Sequence, residues 1–229
     1  MEGLKPLKDR MRYTAVLFDL DGTLLDTLDD LSDSVNCALK KQGLPIRTRE
    51  EVCSFIGTGI VKLMERAVGN AAGVLDMERA LRDFKEYYVE NCQHHTRPYV
   101  GCIELLQELK SRGVKLGVVS NKADFLTQKL CKAYFGDLLD IVIGENEGAG
   151  MRRKPEPDAL LAAMNALGVK AEEAVYVGDS DVDIQTARNV GMDCVSVAWG
   201  MKSRAFLEKC GASVIVEDVA ALREWLLND

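Results

Sequence analysis

No stretch of this 229-residue chain approaches the roughly 18–20 consecutive apolar residues needed to cross a bilayer, which argues against a membrane role. There is no basic excess. Lys and Arg number 29 against 36 Asp and Glu, a formal net charge of −7, and that sign is wrong for gripping nucleic-acid phosphates non-specifically. There is no Cys-x-x-Cys pair. The seven cysteines (37, 53, 92, 102, 131, 194 and 210) are scattered and odd in number, so neither a disulfide framework nor a zinc site is expected. Free, mostly buried thiols in a reducing cytoplasm are the plain reading. Residues 1–12 carry Lys5, Lys8, Arg10 and Arg12 but no apolar h-region, unlike a secretory signal. The expectation there is a frayed tail, with a basic docking arm as the alternative. Internal repeats and low-complexity segments are also missing.

What is there has ordinary globular proportions, 47% apolar and 28% charged. The length fits one medium domain, or a core with a smaller insertion. Ala15-Val16-Leu17-Phe18 is a short apolar run that reads as a buried strand. Asp19 and Asp21 follow at its end. Residues i and i+2 of an extended chain face the same side, and Gly22 permits a sharp turn directly after them. Two like charges side by side are costly unless a cation sits between or beside them, or one carboxyl keeps a proton.

Helical periodicity then takes over. Leu28, Leu31, Val35, Ala38 and Leu39 mark a first helix stopped near Gly43, and Thr48 with Glu51 forms a capping-box signal for a second. After Gly57-Thr58-Gly59, Ile60 to Val68 reads as a third helix. Leu81, Phe84 and Tyr88 mark a fourth, and His94 to Gly101 is a return linker. This is far more chain than a crossover requires. The expectation is an all-helical domain over residues 28–96, inserted into a core made of residues 1–27 and 97–229. From Gly101 onward helices and β-branched strands alternate, with strands at Val114–Val119, Ile141–Ile143, Ala174–Val177, Cys194–Val197 and briefly near Val214-Ile215. That pattern predicts an α/β fold, a Rossmann-like parallel sheet of about five strands covered on both faces.

The polar clusters fall at the carboxyl ends of these strands: Asp19 and Asp21, then Ser120-Asn121-Lys122, then Lys154-Pro155-Glu156-Pro157, then Gly178-Asp179-Ser180-Asp181-Val182-Asp183. In a parallel sheet those ends share one edge, where open α/β folds bind ligands. Taken in order, Asp-Leu-Asp-Gly-Thr-Leu-Leu-Asp-Thr, Ser-Asn-Lys, Lys-Pro-Glu-Pro and Gly-Asp-Ser-Asp-Val-Asp resemble the four motifs of the haloacid dehalogenase-like hydrolase superfamily. The helical insertion is similar to the cap of its phosphoglycolate phosphatase-like branch. The resemblance covers nearly the whole chain from Thr14.

The resemblance implies a Mg²⁺-dependent phosphatase acting on a small phosphorylated metabolite through an aspartyl-phosphate, 2-phosphoglycolate being the nearest analogy. It implies Asp19 as nucleophile and Asp21 as the group that protonates the leaving alkoxide, which calls for surroundings that favour a protonated carboxyl. Asp19, the Asp21 carbonyl and Asp179 would hold the metal through hard oxygen donors. Asp183 either orients that set or is a first-turn helix aspartate favoured by the macrodipole. Ser120, Asn121 and Lys154 would bind the phosphoryl group. Lys122 reads as a surface residue. Thr23 is expected to bond within the turn, and it stands with Gly57 and Thr58 as a candidate substrate contact; the glycine loop is either a site loop or a plain helix–helix turn. His94 and His95 read as exposed linker residues. A sugar-phosphate mutase, a pyrophosphatase or nucleotidase, and a non-enzymatic receiver-like phosphoacceptor are the alternatives. No nucleic-acid or membrane partner is expected, and the oligomeric state stays open.

Overall fold

In a computed structural model, described for residues 11–69, 76–146, 148 and 150–227, the chain is built on a six-stranded, all-parallel sheet. Its strands are β1 (Ala15–Phe18), β4 (Lys115–Ala123), β5 (Ile141–Glu145), β6 (Ala174–Gly178), β7 (Asp193–Val197) and β8 (Val214–Val216), in the order β5-β4-β1-β6-β7-β8. The sheet thus has one strand more than the rounded expectation, the sixth being the brief Val214–Val216 segment. The basic segment before residue 11 lies outside the described residues.

β1 is central and shows why both faces are covered. Its Val16 and Phe18 point into one core with Leu105, Leu106 and Leu109 of α5 (Cys102–Ser111), Leu130 of α6 (Asp124–Phe135) and Leu222 of α10 (Val219–Leu227). Ala15 and Leu17 point into a second core with Leu160 and Ala163 of α7 (Asp158–Leu167) and Ala187 of α8 (Asp181–Val190). The period-two alternation of a strand therefore serves two apolar layers at once. Burial of each large side chain contributes about 1.5–3 kcal/mol.

Between β1 and β4 the chain leaves through β2 (Leu25–Asp26) and returns through β3 (Arg97–Pro98), which pair antiparallel as a two-stranded ribbon. The excursion holds α1 (Leu28–Lys41), α2 (Arg49–Phe55), α3 (Ile60–Val68) and α4 (Met77–Asn91). The Thr48–Glu51 capping box forms as its spacing predicts. Val35, Leu39, Met64, Phe84 and Tyr88 fill the interior of this bundle and join the first core cluster without a break. At its base the buried Asp30 carboxylate accepts the backbone N–H groups of His95 (2.8 Å) and Thr96 (2.9 Å) and the Thr96 hydroxyl (2.7 Å). That single side chain pins the outgoing helix to the returning linker. Among the described residues no helix is long and apolar enough to cross a membrane.

Candidate active site

The β1–β6 ladder continues one residue past β1. The Asp19 N–H donates to the Val177 carbonyl at 2.9 Å, and an Asp19 carboxylate oxygen accepts the Leu20 N–H at 2.7 Å. The chain then folds tightly, the Leu20 carbonyl receiving the N–H groups of Leu24 and Leu25 at 3.0 and 2.9 Å. Gly22 sits at φ +84°, and a Cβ there would lie 2.4 Å from an Asp179 carboxylate oxygen. The turn therefore needs glycine both for its backbone and for the close approach of Asp179.

Asp19, Asp179 and Asp183 converge from the ends of β1 and β6 and the first turn of α8, with one carboxylate oxygen of each within 4.8 Å of the others. The Lys154 ammonium lies 3.0 Å from Asp19 and 2.7 Å from Asp183, and it donates to the Tyr176 hydroxyl at 2.8 Å, which in turn donates to the Val119 carbonyl. Asp183 also accepts the N–H and hydroxyl of Ser180, at 3.1 and 2.6 Å. Ser180 is the N-cap of α8 and Asp183 the first-turn residue that completes its capping box, while the other Asp183 oxygen pairs with Lys154. Asp179 accepts the Met201 N–H at 2.6 Å and the Thr23 hydroxyl at 3.5 Å. Burial, together with Asp183 and Asp21 and against the pull of Lys154, pushes the Asp19 carboxyl up to about 7. Burial, with Asp183 and Asp19 beside it, also raises Asp179 well above the usual carboxylate range. Burial works against the Lys154 charge, but Asp183 and Asp19 outweigh it and hold the ammonium well above its ordinary value.

Several expectations need correcting in detail. Lys122 is not a surface residue. It is buried, and its ammonium takes both carboxylate oxygens of Asp21, at 2.9 and 2.8 Å. Asp19 and Asp21 each face an ammonium of their own, Lys154 and Lys122. Ser120, Asn121 and Lys122 belong to β4 itself, which runs on to Ala123 with a register irregularity between Val119 and Ala123. All three residues line the cavity over the site. Asn121 is committed to the protein: its side-chain oxygen accepts the Lys154 N–H at 2.8 Å and its amide donates to the Lys154 carbonyl at 3.0 Å. This two-way clamp places Lys154, and the same amide reaches the Gly57 carbonyl at 3.2 Å.

A cavity of about 60 Å³ opens over these groups, walled by Asp19, Asp21, Ser120, Asn121, Lys122 and Asp179 from the core and by Gly57, Gly59 and Tyr88 from the helical insertion. Gly57 is thus a wall of the site, while the Thr58 carbonyl accepts the Arg153 guanidinium at 3.3 Å and Thr23 addresses Asp179. Sequence reasoning passed over Lys122, Tyr88, Met201 and Gly200. A Cβ at Gly200 would meet the Asp179 Cβ and the Gly22 carbonyl, both at 2.4 Å. The Lys of Ser-Asn-Lys was the one available signal for Lys122.

Three carboxylates against the single ammonium of Lys154 leave two formal negative charges in a buried, all-oxygen cluster. That donor set and charge fit a hard divalent cation.

A doubly covered parallel sheet carrying an aspartate nest at the carboxyl ends of its central strands, roofed by an inserted helical bundle, defines a class of hydrolases. The chain matches the haloacid dehalogenase-like hydrolase family over residues 16–197 and belongs to it. It is 33% identical over 186 residues to a phosphoglycolate phosphatase of Aquifex aeolicus, covering 81% of this chain and 84% of that one. It is 32% identical over 228 residues to a phosphoglycolate phosphatase of Pseudomonas savastanoi pv. phaseolicola, covering 97% and 83%. A crystal structure from Lactobacillus delbrueckii subsp. bulgaricus, provisionally assigned as a phosphoglycolate phosphatase, superposes with a TM-score of 0.90 at 39% identity, covering 96% of this chain and all of that one.

Proposed function

We propose that the protein is a Mg²⁺-dependent phosphatase that hydrolyses a small phosphorylated metabolite through a phosphoryl-Asp19 intermediate, with 2-phosphoglycolate as the substrate. The observation that carries this reading is the placement of the Asp19 carboxylate on the cavity floor, 3.0 Å from the Lys154 ammonium and within the three-aspartate cluster. Asp19, the Asp21 carbonyl and Asp179 would hold Mg²⁺, with Asp183 bracing the set. The ion supplies positive charge that lets an anionic nucleophile meet an anionic phosphate.

The rest of the chemistry belongs to the chain. An Asp19 oxygen attacks phosphorus, forming the carboxyl–phosphorus bond as the bond to the ester oxygen breaks. Asp21 gives a proton to the departing alkoxide and then takes one from the water that hydrolyses the acyl phosphate. Since Asp21 faces Lys122, that pairing must loosen when substrate enters. Lys154, fixed by the Asn121 clamp, supplies charge at the phosphoryl side without needing to reorganise. The Gly57 loop and Tyr88 close the cavity against bulk water. All seven cysteines are free thiols, which supports the cytoplasm as the compartment.

The test is phosphate release from a panel of phosphomonoesters with Mg²⁺. Multiple turnovers of 2-phosphoglycolate, abolished by EDTA, support the reading. Isomerisation of a hexose phosphate without phosphate release would replace it with the mutase alternative.

A further inference from the structure

The loop that joins α2 to α3 offers its backbone carbonyls to the core. Gly57 accepts the Asn121 amide at 3.2 Å, and Thr58 accepts the Arg153 guanidinium at 3.3 Å. A Cβ on Gly59 would lie 2.6 Å from an Arg153 nitrogen, so the guanidinium rests against the bare face of that glycine. On its core side Arg153 meets the Glu145 carboxylate at the end of β5, 3.9 Å away, the two side chains being 25% and 22% exposed. A chain of contacts thus runs from the sheet through Arg153 into the helical insertion. A bond donated by a charged group is stronger than one between neutral groups, and partial shielding from water strengthens it further.

Gly57 and Gly59 wall the active cavity, whereas Arg153 lines a neighbouring cleft between α4 and α6. Arg153 therefore acts on the loop and not on the substrate. Its neighbour in the chain, Lys154, has its backbone clamped both ways by Asn121 and its ammonium 3.0 Å from Asp19. Two consecutive cations divide the work: Lys154 meets the phosphoryl side of the site, and Arg153 holds the wall above it. We propose that Arg153 is a positioning residue, which docks the Gly57-Thr58-Gly59 loop of the insertion on the core and keeps the cavity closed. This inference rests on the phosphatase reading and goes further by naming the residue that sets how much of the protein is closed before substrate arrives. When only the closed form binds well, the apparent affinity scales with the fraction closed. Loss of Arg153 then weakens substrate binding more than it slows the chemistry, because bound substrate closes the loop again and Asn121 still holds Lys154.

The experiment compares the full-length wild type with Arg153→Met and Arg153→Lys in two measurements. The first is amide hydrogen exchange in buffer alone, which needs no substrate and no turnover. In Arg153→Met, exchange in peptides spanning residues 54–63 rises by about tenfold, the scale of one lost charge-assisted hydrogen bond, while exchange in β1 stays at the wild-type rate. Arg153→Lys, which keeps a cation able to reach the Thr58 carbonyl, restores at least half of the lost protection on a logarithmic scale. The second is steady-state turnover of 2-phosphoglycolate with Mg²⁺. In Arg153→Met, KM rises by about tenfold and kcat falls by less than about threefold. Loop exchange unchanged in Arg153→Met, or raised equally in β1, overturns the docking role. So does a loss that falls on kcat with KM unmoved. Neither of those results touches the phosphatase reading, which fails only if the wild type releases no phosphate; the exchange measurement then decides the docking role by itself.

Discussion

Lys154→Met removes the one ammonium set among Asp19, Asp179 and Asp183 while nearly keeping the side-chain volume. In the wild type that ammonium is 4% exposed at the residue level and contacts Asp19 at 3.0 Å and Asp183 at 2.7 Å. Breaking a buried pair on one side leaves the other charge uncompensated, a loss of about 3–5 kcal/mol. With a urea m-value of about 3 kcal/mol/M for a chain of this size, the unfolding midpoint falls by about 1–1.7 M. The loss has a pH signature in metal-free protein. The Asp19 carboxyl already stands at about 7, against 3.8 in the unfolded chain, and Lys154 is the strongest influence pulling it down. Without Lys154 it holds its proton to still higher pH. The folded state then binds more protons than the unfolded state from about pH 4 upward, so stability falls as pH rises across that window. Urea titrations in EDTA at pH 5 and pH 8 should therefore show a penalty that is smaller at pH 5 and reaches its full size at pH 8. Phosphatase turnover should fall by about 10²–10³, the usual cost of removing one preorganised charge donor. A variant within about 1 kcal/mol of wild type at pH 8, or a penalty equal at the two pH values, would refute the electrostatic reasoning.

Other consequences follow from the same geometry. Gly22→Ala forces a Cβ to 2.4 Å from Asp179 at φ +84°; the strain costs about 1–3 kcal/mol, and Mg²⁺ titration of activity should show weakened metal dependence as well as lower kcat. Asp30→Ala strips three hydrogen bonds from His95 and Thr96 and should cost about 2–4 kcal/mol, read by chemical denaturation, with hydrogen exchange rising first in the linker residues 95–97. Mg²⁺ should raise the thermal midpoint of the wild type more at pH 8 than at pH 5.5, because below about 7 the Asp19 carboxyl carries a proton that must leave before a cation binds; an equal rise at both values would contradict the assignment of Asp19 to the metal.

Much of the architecture was written in local pattern. Ala15 to Phe18 reads as a buried strand from its apolar run alone, and the Thr48–Glu51 box marks a helix start with a mechanism that needs no tertiary contact. The convergence of Asp19, Ser120, Lys154 and Asp179 was legible because parallel topology brings strand ends to one edge. What stayed hidden depends on partners distant in sequence. Lys122 looked like an ordinary surface lysine, and only the fold shows that Asp21 and Tyr88 bury it. Tyr88 reads as one more residue of an apolar helix stripe, which it is, but it also lines the cavity. Asn121 has the donors to bind phosphate, yet its amide faces the Lys154 backbone. Helical periodicity and strand ends set positions, whereas the direction of a polar side chain is decided by what packs against it.

The central claim is that Asp19 receives the phosphoryl group. Its most direct test is to mix Asp21→Asn with Mg²⁺ and 2-phosphoglycolate, quench in acid, reduce with borohydride and map the peptides by mass. The account predicts homoserine at position 19, and at no other aspartate, in amounts that depend on substrate. Reduction at a different aspartate, or phosphate found on Ser120 with Asp19 untouched, would contradict it.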